Sequence, residues 1–168
     1  MSVKNTDAKK RFDLATVRPE RWWQEYEGIA EGANVLEGKV RSAHNALLRP
    51  NDASHTEDDR RGAIHFKRVE MLNAQAIECA LKAVLAAKGL KIPKTHDLRV
   101  LIERAGIQHF DDRTLRYLDV LSKMNYLGRY PVTMEGQAFA SWDIHKAKMR
   151  ATVMTRVKRE YDHALSLM

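Results

Sequence analysis

Residues 75–89 of the 168-residue chain, from Gln75 to Gly89, read QAIECALKAVLAAKG. This stretch decides the fold, because apolar residues recur in it at the three- and four-residue steps of a helical face. The alanines on that face are small enough to let a neighbouring helix approach closely. The pattern predicts a helix that ends at Gly89 and buries Val69, Leu72, Ala76, Ala80, Val84 and Ala87, flanked by Ile77, Leu81 and Leu85.

The segment before this stretch predicts a long first helix and the start of the second. Pro19 is a suitable first-turn residue, and the apolar positions from Trp22 to Leu47 alternate steps of four and three. Such alternation is typical of a seam against another helix, either of the same chain or of a second copy. Ser54 and Glu57 have the spacing of a capping box. The second helix is therefore expected to begin there and to run to about residue 88.

The segment after it predicts two shorter helices. Thr95 is a plausible N-cap and Asp97 a first-turn acid, which favours a short helix that stops at Gly106. Asp111 or Asp112 is expected to start a fourth helix, which ends before Pro131 because proline cannot continue the backbone ladder.

A last helix is predicted near the C-terminus, where apolar residues recur mostly at four-residue steps from Trp142 to Met168. No stretch shows a convincing strand pattern. The sequence therefore predicts an all-α, up-and-down helical bundle of about five helices. Residues 18–168 are expected to form a single domain, preceded by a flexible arm over residues 1–17.

Composition narrows the classes of function. The formal charge of +7 and the pI near 9.6 favour an anionic partner such as RNA or a nucleotide. Cys79 is the only cysteine, so no internal disulfide can form and a cytoplasmic location is the default. No window approaches the roughly 20 apolar residues of a membrane helix, and we expect no membrane association.

Motifs for several chemistries are not found in the sequence. It contains no glycine-rich phosphate loop, no HExxH, no cysteine or histidine spacing for a metal, and no GxSxG elbow. We therefore expect no metal and no cofactor. Cys79 stands among apolar helix positions, which indicates a small core side chain and not a nucleophile.

Three ordered elements of the chain resemble the HEPN family (higher eukaryotes and prokaryotes nucleotide-binding). Residues 75–89 are similar to a family helix that reads Gln, a small pair, Glu and then Ala-Leu-Lys-Ala. Residues 93–98, Pro-Lys-Thr-His-Asp-Leu, resemble its Thr/Gly-His-Asp-Leu turn, and residues 126–131, Tyr-Leu-Gly-Arg-Tyr-Pro, resemble its Arg-Tyr-Pro ending. The resemblance covers about residues 64–131.

This resemblance implies a helical fold that pairs into dimers. It also implies a nucleotide- or RNA-binding protein of a toxin or defence system, with a nucleotidyltransferase-like partner protein as a possible companion. Free backbone amides at the start of the helix near His96 would add donors for an anion. The residues that we expect to contact the nucleotide or RNA are Lys82, Lys94, His96, Arg129 and Tyr130.

A metal-independent endoribonuclease is the main alternative. The family's ribonucleases carry an Arg, four to six intervening residues and then a His, since His exchanges protons while Arg binds the phosphate. Arg129 matches that Arg by order, but no His follows it before residue 145. The same spacing occurs elsewhere, in Arg49/His55, Arg60/His65, Arg104/His109 and Arg156/His163. Position along the predicted helices favours Arg60 with His65 and Arg104 with His109 as the alternative catalytic pairs.

A structural interaction module without catalysis is a second alternative. His96 next to Asp97 could serve only a structural hydrogen bond. Glu78 and Lys82, four residues apart, need nothing beyond an intrahelical ion pair. Salt-sensitive binding to RNA or nucleotides distinguishes the binding functions from this module.

Overall fold

The computed structural model describes residues 18–47, 55–127 and 144–168. Within these ranges it contains five helices and no strand, so the predicted all-α bundle is confirmed. The helices are α1 (Pro19–Leu47), α2 (His55–Ala87), α3 (Leu98–Ala105), α4 (Asp112–Leu127) and α5 (Ile144–Ser166). The predicted arm over residues 1–17, the Ser54 cap, the stop at Pro131 and the position of Trp142 lie outside the described residues.

Helix α2 is the centre of the bundle and packs against each of the other four helices. Every residue from 76 to 87 is buried, because α2 is covered on all sides. The predicted stripe of the central helix is confirmed, except that Leu72 is only half-buried. No helix in the described part of the chain is both long and apolar enough to cross a membrane. The largest fully buried apolar side chains are Ile77, Leu81, Leu85, Leu98, Leu101, Leu118 and Leu121.

Two buried glutamates set the register between α2 and α4. The Tyr117 hydroxyl donates to Glu70 at 3.2 Å, and the Asn125 side-chain amide donates to Glu78. Each donor follows its acceptor by 47 positions. The contacts therefore progress in the same order along both helices, which means that α2 and α4 point in the same direction and α3 lies in the connection between them.

The start of α3 differs from the prediction. Asp97 is the N-cap, because its Oδ1 accepts hydrogen bonds from the amides of Arg99 at 2.9 Å and Val100 at 3.3 Å. Thr95 was wrongly predicted as the cap; its hydroxyl instead accepts from the Asp97 amide at 3.1 Å. The carboxylate caps better, since its charge complements the positive end of the helix. His96 consequently lies before the helix and not in its first turn.

The end of α3 is where the sequence placed it. Gly106 has φ +72°, in the left-handed region, and its amide donates to Glu103 O at 3.0 Å. The next amide, of Ile107, donates to Ile102 O at 3.1 Å. These two bonds form a Schellman motif, which requires the left-handed residue.

Substituting Gly106 with alanine is expected to lower the free energy of unfolding by about 1 kcal/mol, because a Cβ is disfavoured at this φ. Gly28 in the interior of α1 is the control: it is exposed, and no atom lies within 4 Å of a Cβ built there. Gly28→Ala should therefore raise the free energy of unfolding by about 0.5–1 kcal/mol. Urea denaturation measures both. If both substitutions changed the free energy of unfolding by the same amount, the left-handed conformation of Gly106 would be contradicted.

Candidate functional site

A cleft of about 530 Å³ opens between α1, α2 and the segment that precedes α3. Its volume lies within the usual range for pockets that bind small molecules. The central helix supplies one wall and the first turns of α1 supply another. The lining residues are Arg21, Trp22, Glu25, Ile29, Gln75, Glu78, Cys79, Lys82 and His96.

The Glu78 carboxylate lies at the base of this cleft and accepts hydrogen bonds from three elements. Lys82 Nζ on α2 lies 2.5 Å from Oε1, His96 Nδ1 lies 3.0 Å from both oxygens, and the Asn125 amide on α4 donates to Oε2. Burial by itself raises the pKa of Glu78, but the hydrogen bonds and charges of Lys82 and His96 outweigh it and lower that pKa below its ordinary value. The carboxylate is therefore ionised at neutral pH.

Lys82 carries a buried positive charge, and only 8% of the residue is exposed. Besides the ion pair with Glu78, its ammonium lies 5.2 Å from the centroid of the Trp22 ring, a distance suited to a cation–π contact. An ammonium has three hydrogen-bond donors. Lys82 therefore places a cation at the cleft between a carboxylate and an aromatic ring.

The Glu78 carboxylate fixes the protonation pattern of the His96 ring. An ionised carboxylate can only accept hydrogen bonds, so the proton of a neutral ring must be on Nδ1. No described residue hydrogen-bonds to the other nitrogen, Nε2. Since 39% of the His96 side chain is exposed, Nε2 is available to a ligand in the cleft.

Two buried polar atoms near the cleft have no partner within the described residues. They are the indole Nε1 of Trp22 and Oδ1 of Asn125. A buried donor without a partner is costly. Although Trp22 lines the cleft, its indole nitrogen is buried, so the part of Trp22 that faces a bound molecule is its ring.

Cys79 also lines the cleft but is not suited to nucleophilic chemistry. Burial, followed by the negative charges of Glu78 and Glu25, raises the pKa of the Cys79 thiol to about 12. At neutral pH the thiol is protonated and therefore a poor nucleophile. Its prediction as a core side chain is confirmed.

The structure brings some of the predicted binding residues together. Lys82 and His96 meet at Glu78, although they come from different elements. Lys94 is exposed in the connection between α2 and α3. Arg129 and Tyr130 lie outside the described residues.

The expectation of free amides for an anion at the start of α3 is wrong. The Asp97 carboxylate accepts from the amides of Arg99 and Val100, and Ser122 Oγ on α4 accepts from the Leu98 amide at 2.9 Å. These donors are already satisfied within the protein. A carboxylate at this helix terminus also repels an anion.

The structure describes the side chains of only one of the two alternative catalytic pairs. Arg60 and His65 lie on α2, but their side chains are outside the described part of the structure. Arg104 and His109 are both exposed, and no hydrogen bond joins them within the described residues. His109 has φ +70°, and its carbonyl accepts a hydrogen bond from Arg156 on α5. Arg156 therefore holds the backbone of that loop through the carbonyls of Gln108 and His109.

A family model for the HEPN domain matches residues 69–161, which is more than half of the chain. The chain belongs to the HEPN family. This membership relates the protein in general terms to nucleotides or RNA. Neither a curated protein nor a solved structure matches the chain. The matched range contains Glu78, Lys82, His96 and Asn125, whereas Trp22 on α1 lies outside it.

The HEPN domain contains a second buried charged group between α1, α2 and α5. Arg150 donates to Glu37 at 2.5 Å, and Glu70 lies close to both residues. Burial raises the pKa of Glu70 above its ordinary value, while the charges of Lys146 and Arg150 and the hydrogen bond from Tyr117 only partly offset that effect. Glu70 and Glu78 thus have opposite pKa shifts, although they occupy equivalent positions opposite α4.

Sequence reasoning assigned no function to Trp22 and Glu78, which line the cleft, or to Asn125, which donates to Glu78. Trp22 reads as one member of the apolar stripe of α1, and Glu78 reads as half of an ion pair on the surface of α2. The importance of Asn125 could have been recognised from the sequence, because it is a polar residue one turn after Leu121 on the apolar face of α4. A polar residue at such a position requires a buried partner.

Proposed function

We propose that this HEPN domain binds a nucleotide or an RNA segment in the cleft between α1 and α2. The observation that carries the proposal is the convergence of Trp22, Lys82 and His96 on one opening. An aromatic ring, an ammonium and an imidazole are the groups that contact bases and phosphates. The cleft volume of about 530 Å³ suits a single nucleotide.

The phosphate is expected at the end of the cleft that contains Arg21 and Lys82. Arg21 is exposed at the rim, where its guanidinium can pair with two phosphate oxygens. Lys82 can donate to the phosphate while it stays paired with Glu78, since its ammonium has three donors. The chain charge of +7 adds attraction for an anion at longer range.

The base is expected to contact Trp22. A ring that lines the cleft offers a flat surface for stacking. Trp23 is the adjacent residue, but it stacks on Tyr161 with 4.2 Å between ring centroids and donates to Glu27 at 3.0 Å. It does not line the cleft, so Trp23 supplies a matched control.

Trp22→Leu is expected to weaken binding of a fluorescently labelled single-stranded RNA about tenfold, because stacking contributes about 1–3 kcal/mol per base. Leucine keeps apolar bulk and removes the aromatic face. Fluorescence anisotropy measures the affinity. Trp23→Leu should leave it within about twofold.

Salt dependence distinguishes this function from its alternatives. An electrostatic binder loses affinity steeply as salt rises, so the absence of any salt-sensitive binding would indicate a structural interaction module. Equal losses in the Trp22 and Trp23 variants would contradict the proposed location. Cleavage of the RNA in the presence of a chelator would indicate the endoribonuclease alternative.

We further propose that the protein acts as a homodimer in a toxin or defence system, with a nucleotidyltransferase-like protein as partner. The family resemblance supports this setting. Light scattering after size exclusion tests the dimer: a mass twice the 19.3 kDa of the chain is expected. A mass of one chain at all concentrations would contradict it.

A further inference from the structure

Helices α1 and α2 run in opposite directions along the cleft. Trp22 lies beside Lys82, whereas Glu37, further along α1, lies near Glu70, which comes earlier on α2. Arg21 and Lys82, two cations of the lining, therefore lie toward the same end, and Ile29 and Gln75 lie farther along the two helices. Glu25 lies between, close enough to Cys79 for its charge to raise the pKa of that thiol.

Two polar side chains that line the cleft have no hydrogen-bond partner in the described part of the chain. Neither Glu25 nor Gln75 makes a hydrogen bond or ion pair with another residue in the described ranges. Glu25 is exposed at the opening, and Gln75 is half-buried on the rigid central helix. The cleft thus presents a carboxylate with two acceptor oxygens and, on the facing helix, an amide that can also donate.

Nucleobases differ in how well they match such a pair. Guanine presents two N–H donors side by side, at N1 and N2, next to the acceptor O6. Adenine and cytosine place an unprotonated ring nitrogen beside their amino group, and that nitrogen repels a carboxylate. Uracil has one N–H between two carbonyl oxygens. Only guanine offers two adjacent donors to one carboxylate.

We propose that the cleft selects guanine nucleotides, with Glu25 accepting from N1–H and N2–H and Gln75 donating to O6. The base then stacks on Trp22, and the phosphate extends toward Lys82 and Arg21. This inference rests on the proposed nucleotide-binding function of the same cleft. It adds the identity of the base.

Titration calorimetry with GMP, IMP and AMP tests the inference. GMP should bind at least about tenfold more tightly than AMP, since a bidentate contact discriminates between bases to that extent. IMP lacks the 2-amino group and should bind with an intermediate affinity. Similar affinities for all three would overturn the guanine preference but not the proposed function. A lack of binding by every nucleotide would overturn both.

Glu25→Gln should abolish the preference for GMP, because the amide cannot accept both hydrogen bonds. AMP should bind this variant at least as tightly as it binds the wild type. Glu31→Gln is the control: Glu31 is exposed on α1 but does not line the cleft, so the ratio of GMP to AMP affinity should not change. Circular dichroism checks that both variants are folded. A full GMP preference in folded Glu25→Gln would overturn the assignment.

Discussion

Replacing Glu78 with glutamine is expected to lower the free energy of unfolding at pH 7 by about 3 kcal/mol, the usual cost of removing one partner from a buried ion pair. Lys82 would keep its charge in a position where only 8% of the residue is exposed. The donors from His96 and Asn125 would lose their anionic acceptor. Urea denaturation monitored by circular dichroism measures the change.

Glu70→Gln is the matched control, since both glutamates are buried on α2 and both accept a hydrogen bond from α4. Glutamine can still accept from the Tyr117 hydroxyl. Because burial disfavours the charged form of Glu70, this variant should lose no more than about 0.5 kcal/mol at pH 7. Equal losses at positions 70 and 78 would contradict the different environments of the two carboxylates.

The two substitutions should also have opposite dependences on pH. The pKa of folded Glu78 is lowered, so its stabilising contribution is present above the ordinary glutamate pKa of about 4.3 and is lost as pH falls through the folded value. The deficit of Glu78→Gln should therefore shrink in acid. The pKa of folded Glu70 is raised, so its contribution is present below about pH 4.3 and is lost as pH rises through the folded value. Glu70→Gln should therefore gain stability relative to the wild type as pH rises.

Asn125→Asp is expected to lower the free energy of unfolding at pH 7 by about 3 kcal/mol as well, for the opposite reason. Asn125 is 0% exposed, and its amide donates to Glu78. Aspartate would replace this donor with a second carboxylate in the core, which must either stay charged and unpaired or take up a proton. Thermal and urea unfolding both measure the loss.

The loss of unfolding free energy in Asn125→Asp should depend strongly on pH. Two facing carboxylates raise the pKa of the pair, so the lost stability should return as pH falls and one of them is protonated. Asn125→Leu serves as the control, because it removes the donor without adding charge. It should cost about 1 kcal/mol at pH 7. If the aspartate variant is no less stable than the leucine variant at pH 7, Glu78 is not the ionised acceptor.

Most of the helices could be predicted because their signals are local. Pro19, Gly106 and Asp112 mark helix ends in the sequence and in the structure. The cap of α3 was the exception: Thr95 and Asp97 are both acceptable caps, and the choice depends on which side chain reaches the free amides. Because the Asp97 carboxylate accepts from the first amides of α3, these amides are not free to bind the anion expected beside His96.

The candidate site could be predicted only in part. Lys82 and His96 were identified separately through the family resemblance, and the structure shows that Glu78 joins them. The spacing between an Arg and a His did not predict a hydrogen bond between Arg104 and His109 in the described residues, because a separation of a few residues does not fix side-chain directions across a helix end. Trp22 became part of the cleft only when α1 packed against α2.

The sequence alone determined that this protein is helical, where most of its helices begin and end, and that the apolar residues between positions 76 and 87 are buried. These properties follow from periodicity and capping, which act over a few residues. Only the tertiary structure decided that Glu78 is a shared buried acceptor whereas Glu70 is a carboxylate with a raised pKa. The physical reason is that a buried charge depends on partners from other helices, and sequence distance does not encode their approach.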